Sequence, residues 1–172
     1  VPSWGGEILL RLDAIVPAAA FPRAAPSVRE PEALVVVVDG AGPNTGPLVD
    51  AALDDAGERD RAGVVESAHG RAVMPPVPGS NQTLLHAAVA RVLEQNARRR
   101  AGARRNLAGA LRTARGWLTA AHDGHRVRQI LVVTDGIGVA DGGPRLAAEV
   151  LAARHAGVQV LAVAAPDGLS PE

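Results

Sequence analysis

Residues 34–46 read LVVVVDGAGPNTG, and the nature of this stretch decides the fold. Leu34 and four valines run straight into Asp39, followed by Gly40, Ala41, Gly42, Pro43, Asn44 and Thr45. A continuous apolar run of this length bounded by glycines predicts a strand buried on both faces. The same signature returns at residues 130–138, ILVVTDGIG, where the acid is Asp135. Two buried strands that each end in Asp-Gly pose one question. What do the two carboxylates face?

The segments around these strands alternate in type. Residues 47–60, PLVDAALDDAGERD, place Leu48, Ala51, Ala52 and Ala56 at helical spacing with acids opposite. Residues 62–68 and 71–77, AGVVESA and RAVMPPV, form an expected hairpin turning at His69-Gly70. A helix is predicted over 79–100, with Ser80 or Asn81 as its cap. A second follows over 106–122, with Leu107, Leu111, Ala114 and Leu118 on one stripe. After the strand 129–134 come a helix over 143–157 and a strand over 158–165. Strands alternating with helices predict an α/β, three-layer, Rossmann-like fold, its central sheet mainly parallel and covered on both faces. Ligands in such sheets bind beyond the carboxyl ends of the strands, so Asp39 and Asp135 are expected to face one crevice.

Two regions are read, 1–33 and 34–172. The first is an N-terminal extension: residues 7–16, EILLRLDAIV, as an edge strand, then a connector with four prolines between residues 17 and 33. The second is the compact domain.

Composition sets bounds. A chain of 172 residues suits one domain that buries roughly 70% of its unfolded surface. Aromatics are limited to Trp4, Trp117 and Phe21, so valine, leucine and alanine must build the core. All 18 basic residues other than histidine are arginine, a bias that fits a GC-rich bacterial genome. Formal charge is zero, which gives no global pull toward nucleic acid or membrane. The absence of cysteine excludes disulfides and thiolate chemistry. No apolar stretch approaches the ~20 residues of a membrane-spanning helix. No signal-peptide pattern follows Val1, and the compartment stays open with a lean toward the cytoplasm.

From Leu34 to about Asp167 the sequence resembles the von Willebrand factor A (vWA) family. The resemblance rests on order: LVVVVD, a helix, the hairpin DRAGVVESAHGRAVMPPV, a helix, NLAGALRTA, the strand ending TDG, and GVQVLAVAA. It implies a metal-ion-dependent adhesion site with an Asp-x-Ser-x-Ser loop, a threonine before the NLAGALRTA helix and the Asp of TDG. Such a site binds Mg²⁺ through hard oxygens and leaves one position for a partner's carboxylate. Carried onto this chain, the acids are Asp39 and Asp135, the latter followed by Gly136. The serine positions hold Ala41 and Pro43, and the threonine position, directly before Asn106, holds Arg105. The hydroxyl ligands are missing, so no cofactor or metal is expected. Arg105 is the candidate substitute, since a guanidinium can bridge two carboxylates. The alternative places it in the solvated run ARRRAGARRN; a shifted loop could instead let Asn44 or Thr45 supply an oxygen and retain Mg²⁺. The family further implies another helix after the last strand. Residues 167–172, DGLSPE, stop at what reads as a helix start, so the domain is expected to lack it.

Other chemistry fits less well. GAGPNTG departs from G-x-G-x-x-G because its third glycine falls one place late, and Asp39 would oppose a pyrophosphate. A chain without lysine has no Walker A loop, and no G-x-S-x-G elbow occurs. Ser67 and His69 read as hairpin residues rather than a catalytic pair. HDGH at 122–125 reads as a solvated loop before a strand. The arginine run is a helix end, or else a basic patch for an acidic protein surface or phosphate. Nucleic acid is disfavoured without aromatic stacking platforms.

The sequence therefore predicts a non-enzymatic scaffold or adaptor domain whose metal site has lost its hydroxyl ligands. The resemblance implies a protein partner, often within a multi-component or ATPase-associated assembly. The competing expectation is an α/β nucleotide or dinucleotide binder that uses the glycine-rich loops after Asp39 and Asp135.

Overall fold

The computed structural model describes residues 30–98, 105–120, 125 and 127–165. The expected strand at 7–16, most of the connector and of the arginine run, His122 and the helix start near Ser170 lie outside the described residues. Nine elements follow in order: β1 (Glu32–Asp39), α1 (Thr45–Asp54), β2 (Arg61–Glu66), β3 (Ala72–Pro78), α2 (Gln82–Ala97), α3 (Leu107–Ala120), β4 (Val127–Thr134), α4 (Ile137–His155) and β5 (Gln159–Ala164).

They form a three-layer α/β fold around one sheet of order β3-β2-β1-β4-β5. All pairings are parallel except the β2–β3 hairpin. The valine run is the central strand, with β2 on one side and β4 on the other. Alternation divides its side chains between two cores. Val35 and Val37 pack with Ile130, Val132 and the buried stripe of α3, while Val36 and Val38 pack with Val49 and Leu53 of α1 and Leu85 and Val89 of α2. Val35 to Val38 are all fully buried. Each contributes about 1.5–3 kcal/mol of transfer free energy, so this short segment anchors both layers.

Three details differ from expectation. The buried stripe of α1 is Thr45, Val49 and Leu53, while Ala51 is exposed. Apolar residues occur all around this helix, and the bulkier ones take the sheet side. The N-cap of α2 is Asn81, but its side chain makes no capping bond. Its carbonyl accepts from Leu84 N–H and Leu85 N–H instead. Finally, α4 begins before Gly143 and is kinked there, at φ 46 and ψ −138, where no L-residue sits comfortably. Pro144 then opens the longer straight part, its fixed φ suited to a first turn.

Chain direction reverses its lateral march at β1. From β1 the chain moves to β2 on one side, and β4 later resumes on the other. The crevice above the carboxyl ends of β1 and β4 is therefore the topological switch point of the sheet.

Candidate functional site: an arginine between two acids

The two Asp-Gly pairs have separate local reasons. After Asp39 the backbone passes close to the end of β4. A Cβ on Gly40 would stand 3.1 Å from Thr45 Oγ1 and 3.5 Å from Asp135 Oδ2. After Asp135 the chain leaves β4 through Gly136, whose φ of 93 is left-handed. The glycines thus let both strands end side by side, with their acids above the sheet.

Asp39 is fully buried, and its register partner on β4 is Thr134. Thr134 Oγ1 donates to Asp39 Oδ2 at 2.6 Å and accepts from Gly136 N–H at 2.9 Å. On the other flank, Ser67 follows β2 directly, bonds its N–H to the Val38 carbonyl, and is 1% exposed. Parallel register therefore lines up Ser67, Asp39 and Thr134 across three strands, on the α3 side of the sheet.

Arg105 enters from that side. Its Nη1 and Nη2 donate to Asp135 Oδ1 and Oδ2, both at 2.7 Å, in a two-pronged fork. Nη1 also donates to the backbone carbonyl of Asp39, and lies 3.6 Å from Asp39 Oδ1. The three side chains are 16%, 8% and 0% exposed for Arg105, Asp135 and Asp39, so the pairs are shielded from water. Asn106 fixes the loop that delivers the arginine. Its N–H donates to the Ser67 carbonyl at 2.7 Å, and its Oδ1 caps α3 by accepting from Gly109 N–H at 3.0 Å.

Burial pushes the Asp39 carboxyl above the ordinary aspartate range. The Ser67 and Thr134 hydroxyls and the Arg105 charge oppose that rise, and the Asp135 charge adds to it. Ser67 Oγ stands near enough to act on the carboxyl without reaching hydrogen-bond geometry, and Asp39 Oδ1, Ser67 Oγ and Thr45 Oγ1 are buried oxygens that form no hydrogen bond.

The site residues read from sequence separate into two groups. Asp39, Arg105, Asn106, Asp135 and Gly136 come together at the crevice, as does Thr45, buried beside Gly40. Asn44 is exposed at the start of α1 and makes no side-chain cap there. Ala41 and Pro43, at the loop positions where the resemblance puts serines, are exposed. Among the described residues, no group of three or more His, Asp or Glu side chains is placed to hold a metal ion. Two members escaped the sequence reading, Ser67 and Thr134. A signal for both existed, because residues one place beyond aligned parallel strands share a face. Ser67 was instead read as part of the hairpin turn. Its neighbour His69 bonds Glu66 through Nδ1 at 2.9 Å.

No protein-family model matches the sequence. No curated protein matches it either. Among solved structures, the chain is similar to one described as the crystal structure of the TFIIH p34 N-terminal domain. The TM-score is 0.52 at 17% identity, over 78% of this chain and 81% of that one. The likeness shows that the two share a three-layer α/β fold. At such identity the likeness carries the fold alone, and the site must be argued from its own residues.

Proposed function

We propose that the chain is a vWA-like protein-interaction domain, a scaffold or adaptor rather than an enzyme, in which Arg105 does the electrostatic work of a divalent cation. The observation that carries this reading is the Arg105 fork on Asp135, with the same Nη1 reaching the carboxyl end of Asp39. A cation set between the two acids would compete with that guanidinium for the same oxygens. Ala41 and Pro43 bring no side-chain oxygen to help it. Charge accounting agrees with the substitution. One arginine faces two acids, and burial, only partly offset by the Ser67 and Thr134 hydroxyls and the Arg105 charge, pushes the Asp39 carboxyl toward its neutral form. Ser67 Oγ, buried and without a hydrogen bond, lies beside it.

A non-enzymatic role is supported by the hydroxyls. Ser67 is buried beside a carboxyl rather than beside an imidazole base, and His69 is engaged with Glu66. On this reading the end of the sheet around the crevice is the face offered to a protein partner. A multi-component or ATPase-associated assembly is the setting that the family resemblance suggests.

Calorimetric titration of the full chain with Mg²⁺ or Mn²⁺ tests the reading. No saturable heat is expected at millimolar metal. The variant Arg105→Thr/Ala41→Ser/Pro43→Ser, which restores oxygens at the three positions, is expected to gain binding. Micromolar binding by the parent chain, abolished by Asp39→Ala, would overturn the proposal.

A further inference from the structure

Exposure rises stepwise across one face of the sheet. On the α1–α2 side, register sets Val36, Leu131 and Leu161 in one row and Val38, Val133 and Val163 in the next. Val36 and Val38 are fully buried, Leu131 is half-buried, and Leu161 and Val163 are 47% and 36% exposed. The layout of the helices is the cause. On this face α2 packs on β2 and β3, and α1 on β1 and β4, whereas α4 reaches β5 from the opposite face. A mainly parallel sheet is covered on both faces. Here a strip over β4 and β5 is open, floored by Leu131, Leu161 and Val163.

The strip has a shape and a polarity. Two strand spacings make it about 10 Å wide, the width of one helix. The six residues of β5 make it roughly 20 Å long, or about 13 helical residues. Its wall is the flank of α1 turned away from α2, where helical spacing lines up Leu48, Ala52 and Asp55. At the end where the strands begin, Glu32 and Asp60 meet Leu34, Ala52 and Ala56 around a shallow pocket. Asp60 is held there by the Glu32 and Gly57 N–H groups, which it accepts at 2.8 Å each. α1 ends at the same pole with Asp55 as its C-cap and no basic residue in its last turn, so the negative end of its dipole adds to the acids.

We propose that this strip docks an amphipathic α-helix of a partner protein, its apolar stripe on Leu131, Leu161 and Val163 and its arginine or lysine end beside Glu32, Asp60 and Asp55. A second copy of this chain fits less well. Its own strip is recessed below its α1, so two strips cannot touch. The ridge it could insert is α1, which turns Pro47, Ala51 and Asp54 outward and would bring acid to acid. The docking strip lies on the side of the sheet, away from Arg105, and does not depend on how the crevice is closed.

Two synthetic peptides of about 14 residues test this, both helical with the same leucine stripe, one carrying arginines at one end and the other glutamates. Each is titrated into the full chain with isotope-labelled leucine and valine methyl groups. The methyl signals of Leu131, Leu161 and Val163 are expected to shift saturably with the arginine peptide. It should bind at least about fivefold more tightly than the glutamate peptide, with the preference shrinking as salt is raised. Leu161→Gln is expected to weaken binding at least about tenfold, with the β1 methyl signals unmoved to show that the fold is intact. Leu84→Gln, at a leucine of α2 that is 51% exposed, should leave it unchanged. Equal affinity for the two peptides, no saturable shift at the three floor residues, or binding indifferent to Leu161→Gln would overturn the proposal. So would Leu161 and Val163 methyls already shielded from a dissolved paramagnetic probe in the parent, whether by the chain itself at every concentration or by a second copy as concentration rises.

Discussion

Asp39 holds the site's least comfortable charge. The net effect of its surroundings, Arg105 included, is against ionisation, so its folded pKa lies above the unfolded value of about 3.9. The sign follows from linkage. The native state binds this proton more tightly, so the associated stability is complete below about pH 3.9 and is lost as pH rises through the folded value. A proton on Oδ1 would also give that buried oxygen a donor to offer Ser67 Oγ. Asp39→Asn, neutral at every pH, is therefore expected to unfold no earlier than the parent at neutral pH, with a gain of up to about 1 kcal/mol. The gain should fade on acidification, as the parent's own carboxyl becomes neutral. Thermal unfolding of the two proteins from about pH 4 to 8 checks it. A loss of several kcal/mol at neutral pH would mean that the ionised carboxylate is required. The sequence offered both acids and the arginine, because each occupies a position that the family motif marks. It hid Ser67 and Thr134, whose roles depend on register across strands far apart in the chain.

At the scale of elements, each pair of helices is clasped by a different titrating group. His86 of α2 meets Asp50 at 2.8 Å through Nδ1 and Asp54 at 3.0 Å through Nε2, both on α1. Only a doubly protonated ring can donate to both. The bond to Asp50 is the main cause of the raised His86 pKa, desolvation opposes it, and Asp54 adds to it. Its stabilisation is full below the unfolded histidine value of about 6.5, and is lost as pH rises through the folded one. On the opposite face, Glu149 of α4 accepts from Arg112 Nε at 2.8 Å and Arg115 Nη2 at 3.3 Å, both on α3. Burial works against the Glu149 charge, but the two arginines prevail and hold its pKa below the ordinary range. That contribution is present above about pH 4.3 and is lost as pH falls through the lowered value. Parent and His86→Gln are thus expected to differ most in Tm at mildly acidic pH and to converge in alkali, whereas parent and Glu149→Gln should differ at neutral pH and converge in strong acid. A His86 difference that widened with pH would contradict the clasp. Both clasps join helices distant in sequence, which is why periodicity predicted the helices and left their cross-links unread. The same limit explains α1, where apolar residues on every side left the choice of face to the sheet.

For the whole molecule, order of elements was the legible quantity. Two all-apolar runs, LVVVV and ILVVT, required cover on both faces, and β1 and β4 lie side by side within the sheet with helices above and below. The hairpin expected to turn at His69-Gly70 was legible too, and it is the antiparallel β2–β3 pair. Hidden from that reading was how the site closes, where two strand ends, two glycines and the Asn106-anchored loop meet. In the proposed function an arginine closes that crevice electrostatically. Urea unfolding of Arg105→Ala, with the exposed Arg98→Ala as control, measures this most directly. Removing one member of a buried pair costs roughly 3–5 kcal/mol, and partial solvent access should bring the Arg105 loss to about 2–3 kcal/mol at neutral pH. It should shrink on acidification as Asp39 becomes neutral, while Arg98→Ala, a surface pair, should lose under about 0.5 kcal/mol. Equal and negligible losses for both variants would show that Arg105 does not balance the buried acids, as would an Arg105 loss independent of pH.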